Sequence, residues 1–183
     1  MEPVCPKRDD TVFLMIDLQE RLVPAAYNGE SVVKASYQLL KSAEVLGIPV
    51  IVTEQYPKGL GSTHPKLAEF ADKCPKIEKL SFSCFDTPEF EPLLAATARK
   101  TVVLWGIESH VCVFSTAMDL KERGFDVIVA YEACGSRRKE HLEAAMRNLL
   151  AAGIAVLPVE TIVYRLLVRS GTPEFKALLP VFK

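Results

Sequence analysis

A cysteine stands six residues after the glycine that ends an apolar run in the middle of the chain. The run covers residues 101–105, the glycine is Gly106, and Cys112 lies at the start of a helical pattern. A thiol in the first turn of a helix faces unpaired backbone N–H groups and the positive end of the helix dipole. Such surroundings lower a thiol pKa from about 8.5 to roughly 3.5–7.5, and the thiolate is the nucleophile. Cys112 is therefore the first candidate for a catalytic residue.

A carboxylate and an ammonium follow two other apolar runs. Asp17 comes directly after residues 11–16, and Lys79 lies at the end of a weaker run, residues 76–80. A carboxylate beside a thiol can take its proton and later return it to a leaving group, and a nearby ammonium stabilises the thiolate. Together with backbone N–H groups that stabilise an oxyanion, these residues suit covalent hydrolysis of a C–N bond without histidine. Taken singly, each also has a structural explanation: a turn cap, a solvated lysine, a core cysteine.

The alternation of short apolar runs with amphipathic helical patterns determines where these residues meet. Fully apolar strands between such helices predict a parallel sheet covered on both faces. The predicted fold class is therefore α/β, a three-layer α/β/α sandwich around a doubly wound, mostly parallel six-stranded sheet of Rossmann-like topology. Ligands bind outside the carboxyl ends of the strands in such a sheet, so Asp17, Lys79 and Cys112 should converge there. Strands are predicted at 11–16, 49–53, 76–80, 101–105, 126–130 and 154–157, and helices at 31–46, 109–123, 140–151, 164–168 and 174–179.

Composition limits the classes of function. The length of 183 residues predicts one domain, residues 1–183. A formal net charge of −1 with no basic stripe argues against a nucleic-acid partner. No apolar run approaches the ~20 residues that span a bilayer, and the acidic, proline-broken start is unlike a signal peptide, so we expect a cytoplasmic protein without membrane contact. Five cysteines without a CxxC pair form neither a disulfide framework nor a zinc-ribbon pattern.

Three segments at predicted strand ends resemble the signature segments of the isochorismatase-like cysteine hydrolases. They are Ile-Asp-Leu-Gln at 16–19, Lys-Leu-Ser-Phe-Ser at 79–83, and Gly-Ile-Glu-Ser-His-Val-Cys-Val at 106–113. The similarity extends from residue 11 to residue 159. The loop at residues 53–61 also resembles the subgroup of isochorismatase domain-containing proteins.

The resemblance implies a mechanism and an assembly. In this family Cys112 would attack a carbonyl, Asp17 would shuttle the proton, and Lys79 would lower the pKa of the thiol. It implies a cis peptide bond between Ile107 and Glu108, and an oxyanion hole made by the backbone N–H groups of Glu108 and Cys112. It further implies a homo-oligomer, a dimer or larger, and no cofactor.

The substrate pocket is predicted to include Gln19, Tyr56, Phe82 and His110. Aromatic and apolar walls with few polar groups suit a small, partly planar substrate. Core packing or a subunit contact would explain Tyr56 and Phe82 equally well, and His110 could face the pocket or a neighbouring subunit.

No metal site is predicted. Nicotinamidases of this fold carry an Asp and two histidines as metal ligands, but this chain has three histidines in all and lacks that spacing. We interpret His64 as an exposed residue at a helix start.

The leading hypothesis is a metal-independent cysteine hydrolase that cleaves a small amide or carbamoyl-type C–N bond through a thioester. One alternative is a binding or scaffold protein of this fold with a dormant site. A second is a true isochorismatase that hydrolyses a vinyl ether, and a third is a redox thiol protein. A nucleotide-binding Rossmann protein is disfavoured because no glycine fingerprint follows the first strand.

Overall fold

The computed structural model describes residues 4–183 and contains a six-stranded sheet with helices on both faces. Every pair of neighbouring strands is parallel, as the apolar runs predict. The strands are β1 Thr11–Ile16, β2 Val50–Gln55, β3 Lys76–Lys79, β4 Thr101–Gly106, β5 Asp126–Ala130 and β6 Ala155–Leu157. The helices are α1 Gly29–Leu46, α2 Pro57–Leu60, α3 Pro65–Ala71, α4 Phe90–Ala96, α5 Phe114–Glu122, α6 Lys139–Ala151, α7 Val159–Leu167 and α8 Pro173–Leu178. Across residues 4–183, no helix is long and apolar enough to cross a membrane.

The predicted strands agree with the structure to within two residues at each end, whereas three short helices were missed. Helices α2, α3 and α4 lie between β2 and β4 and have only four to seven residues, too few to show a helical period. Pro57 and Pro65 begin two of them, which is the position that proline prefers in a helix. The predicted helix 109–123 is a π-helical turn, Ser109–Val113, followed by α5.

The strand order is β3-β2-β1-β4-β5-β6, so the chain changes direction across the sheet between β1 and β4. At this switch point Ile16 of β1 pairs with Gly106 of β4. Gly106 has a φ of 140°, and a Cβ atom there would lie 1.9 Å from the Ile16 carbonyl oxygen. Only glycine allows this close approach, which places Asp17 beside the turn that leads to Cys112. The switch point of a doubly wound sheet is where ligands bind.

Candidate active site

Asp17 and Lys79 form a buried ion pair at the carboxyl edge of the sheet. Lys79 Nζ lies 2.7 Å from Asp17 Oδ2, and neither side chain is accessible to solvent. Thr53 Oγ1 of β2 donates a hydrogen bond to Asp17 Oδ1 at 2.7 Å. Both carboxylate oxygens therefore accept a hydrogen bond, which fixes the position of the carboxylate. Asp17 has a φ of 53°, in the left-handed region that Asp tolerates better than most residues.

Lys79 keeps its positive charge although it is buried. Burial lowers the pKa of Lys79, but the charge of Asp17 and the hydrogen bond to it raise the pKa by more, so the net pKa lies above its usual value. Beyond Asp17, the ammonium donates to Gln55 Oε1 at 2.6 Å and to the carbonyl oxygens of Ser81 and Phe82 at 3.2 and 3.4 Å. The pair is thus a carboxylate held against a fully hydrogen-bonded ammonium.

Cys112 lies in the π-helical turn before α5 and is 6% exposed. Burial, followed by the charge of Asp17, raises the pKa of the thiol to about 12, and the opposing charge of Lys79 offsets only part of this. The prediction that the helix start lowers this pKa is therefore wrong for the resting protein, because burial outweighs the ammonium. Cys112 is a neutral thiol near pH 7, and the Asp17 carboxylate that acts on its pKa can accept its proton.

The turn before Cys112 is braced by the loop after β5. The peptide bond between Ile107 and Glu108 is cis. Ser109 donates through both its backbone N–H and its Oγ to the Gly135 carbonyl, at 2.8 and 2.7 Å. The Glu108 carbonyl accepts from the N–H groups of Val111 and Val113, and Glu108 Oε1 accepts from Arg137. These contacts hold the turn rigidly beside the ion pair.

Gln19 is not a pocket residue, and its prediction as a substrate contact is wrong. The side chain is fully buried, and its Nε2 donates to the carbonyl oxygens of Gln55 and Gly61 at 2.9 and 2.7 Å. Its Oε1 accepts from the Gln55 N–H at 2.7 Å. Gln19 therefore ties the end of β2 to the loop that follows, and no polar atom of its side chain is left for a substrate.

Tyr56 and Phe82 are exposed near the ion pair. Tyr56 is 50% exposed and Phe82 62%, so neither packs in the core. Tyr56 and Lys79 line a shallow cleft of about 300 Å³ that Pro57, Lys58, Glu78 and Leu80 complete. That Tyr56 and Phe82 contact the substrate stays a prediction.

His110 is engaged by neighbours in the structure. Its Nδ1 lies 3.1 Å from Ser136 Oγ, and its ring is 4.4 Å from that of His141, centroid to centroid. Burial lowers the pKa of His110, which favours the neutral imidazole. These contacts place it against α6 and the preceding loop, and its role towards a substrate stays a prediction.

His64 caps the start of α3, as predicted, but is partly buried rather than exposed. Its Nδ1 accepts from the Lys66 N–H at 3.3 Å. Within the described chain, residues 4–183, no group of three or more His, Cys, Asp or Glu side chains is arranged to hold a metal ion.

Three residues of this cluster were missed by the sequence analysis. Thr53 and Gln55 lie on β2, between the strands that carry Asp17 and Lys79, and the register places Gln55 opposite Lys79. Cys84 is a second buried thiol, and Thr116 Oγ1 donates to its sulfur at 3.4 Å. Burial raises the pKa of Cys84 to about 12, against the charge of Lys79. The signal for Thr53 and Gln55 was their position at the end of the strand next to Asp17.

Three buried thiols are expected to make the fold less stable at alkaline pH. Burial raises the pKa values of Cys84, Cys112 and Cys134 to about 12, whereas an unfolded thiol titrates near 8.5. Above that lower value the folded state binds up to three more protons, so the free energy of unfolding should fall by up to about 4 kcal/mol per pH unit between roughly pH 9 and 11.

Urea unfolding measured from neutral pH to about pH 10 tests this expectation. Cys134→Ala removes one of the three thiols and should reduce the slope by about one third. A free energy of unfolding that stays constant over this range would contradict the conclusion that burial raises the pKa values of these thiols.

Comparisons with known proteins agree with the fold. The family model described as the isochorismatase domain matches residues 11–161. Isochorismatase domain-containing protein 1 from Danio rerio is 37% identical over 174 residues, which cover 94% of this chain and only 61% of that relative's length. The structure of MAR1 ribonuclease from Caenorhabditis elegans superimposes with a TM-score of 0.91 at 35% identity, covering 97% of this chain and 92% of that one.

A more distant structure shares the fold alone. The YcaC gene product from Escherichia coli, described as an octameric hydrolase of unknown specificity, superimposes with a TM-score of 0.91 at 22% identity, over 100% of this chain and 91% of the other. The family model covers most of the sequence, and the relative matches nearly all of it. On these grounds the chain belongs to the isochorismatase family.

Proposed function

We propose that this protein is a metal-independent cysteine hydrolase that cleaves a small amide or carbamoyl-type C–N bond through a thioester intermediate. The observation that carries the proposal is the convergence of a thiol, a carboxylate and an ammonium at the switch point of the sheet. Lys79 and Asp17 are 2.7 Å apart, and the charges of both act on the thiol of Cys112. A carboxylate that acts as the base and a cation that stabilises the thiolate are together sufficient to activate a cysteine.

The proton of Cys112 passes to Asp17 as the sulfur attacks the substrate carbonyl carbon. A neutral thiol at rest suits this step, because the proton moves directly to the adjacent carboxylate while the S–C bond forms. Lys79 offsets the negative charge, which lies on Asp17 at rest and moves through the sulfur to the carbonyl oxygen as the S–C bond forms. When the C–N bond breaks, Asp17 returns the proton to the departing nitrogen. Water then attacks the thioester carbon and gives a proton to Asp17. The C–S bond breaks to release the acid, and Asp17 returns that proton to the sulfur.

The oxyanion of the tetrahedral intermediate is assigned to the backbone N–H groups of Glu108 and Cys112. Glu108 lies outside the regular helices and strands, and within the described residues its N–H donates to no backbone acceptor. The Glu108 carbonyl, in contrast, accepts from the N–H groups of Val111 and Val113. One such donor contributes about 3–4 kcal/mol to transition-state stabilisation in well-studied enzymes. Tyr56 and Phe82, exposed beside the site, supply apolar walls for a small planar substrate.

The chain works as a homo-oligomer in this proposal. The octameric state of the Escherichia coli protein supports it by analogy of fold alone. Leu80 and Phe82 are 76% and 62% exposed at the active edge, and exposed apolar patches mark contact surfaces. Light scattering of the purified protein would test it, and a monomer at working concentration would contradict it.

Replacing Cys112 by Ala should abolish turnover and leave the fold intact. Small amides and carbamoyl compounds should be cleaved by the wild type, and intact-protein mass spectrometry should trap an acyl group on it and none on Cys112→Ala. Cys74→Ala is the matched control, because this thiol lies beyond α3 and donates to the Phe70 carbonyl. Covalent catalysis would be excluded by amide turnover that persists in Cys112→Ala.

The same pair of proteins separates the competing functions. Cleavage of a vinyl ether by both proteins would indicate isochorismatase chemistry. RNA cleavage by both would point to the activity named for the Caenorhabditis elegans protein. Failure to cleave any compound, with Cys112 unreactive towards acylating substrates, would indicate a dormant site in a binding protein.

A further inference from the structure

Gln55 bridges the ammonium of Lys79 and the loop that follows it. It is the last residue of β2 and pairs with Lys79 in the register of the sheet. Its Oε1 accepts from Lys79 Nζ at 2.6 Å, as short as the 2.7 Å ion pair between Lys79 and Asp17. Its Nε2 donates to the Leu80 carbonyl at 2.7 Å. One amide thus contacts the ammonium at one end and the backbone at the other.

Gln19 fixes the main chain that carries this amide. It holds both the N–H and the carbonyl of Gln55, at 2.7 and 2.9 Å, and is itself fully buried. The side-chain amide of Gln55 therefore has one favourable orientation. Reversing it would set its NH₂ group against the Lys79 ammonium and its oxygen against the Leu80 carbonyl.

The hydrogen-bond count around Lys79 shows what Gln55 contributes. An ammonium has three N–H donors. Asp17 accepts one, Gln55 accepts the second, and the carbonyl oxygens of Ser81 and Phe82 share the third. Gln55 accepts one of these N–H groups without bringing a negative charge to the ammonium. The positive charge of Lys79 therefore acts on Asp17 and Cys112 without being reduced by a second carboxylate at position 55.

We propose that Gln55 is a positioning residue, which as a neutral acceptor holds the Lys79 ammonium against Asp17 and leaves its positive charge free to act on the thiol of Cys112. The inference rests on the proposed cysteine chemistry. It requires that the charge of residue 55, and not merely its size, controls the reactivity of Cys112.

Gln55→Glu tests the charge directly, because it keeps the shape and adds a carboxylate beside the ammonium. The titratable groups that act on Cys112 are Asp17 and Lys79, with Cys84 neutral below about pH 10. A second anion should raise the pKa of Cys112 by about one unit or more, and thus slow its alkylation by iodoacetamide about tenfold at a fixed pH. Labelling is read by peptide mass spectrometry across a pH series.

Gln55→Met separates charge from shape. It removes the acceptor without adding a charge, so the ammonium can turn towards the thiol. We expect amide turnover to fall while alkylation of Cys112 is not slowed. Gln38→Glu is the matched control, since Gln38 also donates to a backbone carbonyl, that of Val181 at 3.0 Å, but lies on α1. It should change neither rate.

The outcomes distinguish this inference from the proposed function. If Gln55→Glu and Gln55→Met slow alkylation equally, or if folded Gln55→Glu alkylates like the wild type, the positioning role is wrong. If Gln55→Glu does not fold, unslowed alkylation with reduced turnover in Gln55→Met supports the role, and slowed alkylation overturns it. If no amide is cleaved by any variant and alkylation still slows only in Gln55→Glu, the positioning role stands and the proposed function fails.

Discussion

Asp17→Asn is expected to abolish turnover and, at the same time, to make Cys112 more reactive towards iodoacetamide. The two effects have opposite signs because the Asp17 carboxylate acts on the thiol in two ways. Its carboxylate is the base that the reaction requires, and general acid–base groups contribute roughly 10²–10⁴-fold to rates. The same carboxylate raises the pKa of Cys112 through its charge and its hydrogen bond. Asparagine is neither a base nor an anion, and it tolerates the left-handed backbone at this position.

The gain in alkylation should be at least about tenfold at a fixed pH, since one unit of thiol pKa changes the thiolate fraction tenfold. Without the carboxylate, the Lys79 ammonium is free to pair with the Cys112 thiolate, which acts in the same direction. The measurement is the rate of carbamidomethylation at Cys112, set beside the rate of amide cleavage for the same protein.

Asp126→Asn is the matched control, since Asp126 is the first residue of β5 and lies at the edge of the sheet opposite the candidate site. It should leave both rates at the level of the wild type. Slower alkylation in Asp17→Asn would show that the carboxylate is not coupled to the thiol in the way the structure indicates. Retained turnover would remove Asp17 from the mechanism.

The location of the candidate site was predictable from sequence because it follows from the parallel direction of the strands. Parallel strands end at one edge, so Asp17 after β1 and Lys79 at the end of β3 had to meet near the turn before Cys112. The same reasoning found the six strands, whose apolar runs are unbroken. It failed for α2 and α3, whose few residues carry a proline start but no helical period.

The protonation state of Cys112 was not predictable, because it depends on how deeply the thiol is covered. The local sequence shows a helix start, which favours the thiolate, and nothing in it shows that only 6% of the residue is exposed. The prediction that Gln19 contacts the substrate was wrong for a similar reason. A polar residue beside a predicted site indicates a substrate contact, but its partners are Gln55 and Gly61, which only the folded loop brings to it.

Lys79→Met should destabilise the fold by about 3–5 kcal/mol, because it leaves the Asp17 carboxylate buried without its counter-charge. Methionine fills a similar volume, so the loss comes from electrostatics rather than from a cavity. Both members of the pair are inaccessible to solvent, which removes the screening that makes surface pairs weak. The free energy of unfolding in urea, at a pH near 7, measures the loss.

The double variant Asp17→Asn/Lys79→Met should be more stable than Lys79→Met alone, although it has lost both charges. Thr53 can still donate to the side-chain oxygen of the introduced asparagine, and no ion remains buried, so most of the penalty disappears. Additive losses in the double-mutant cycle would instead mean that the two residues act independently. Recovery of stability together with complete loss of amide cleavage would mean that the fold does not need this ion pair. Asp17 and Lys79 would then be retained for their action on Cys112.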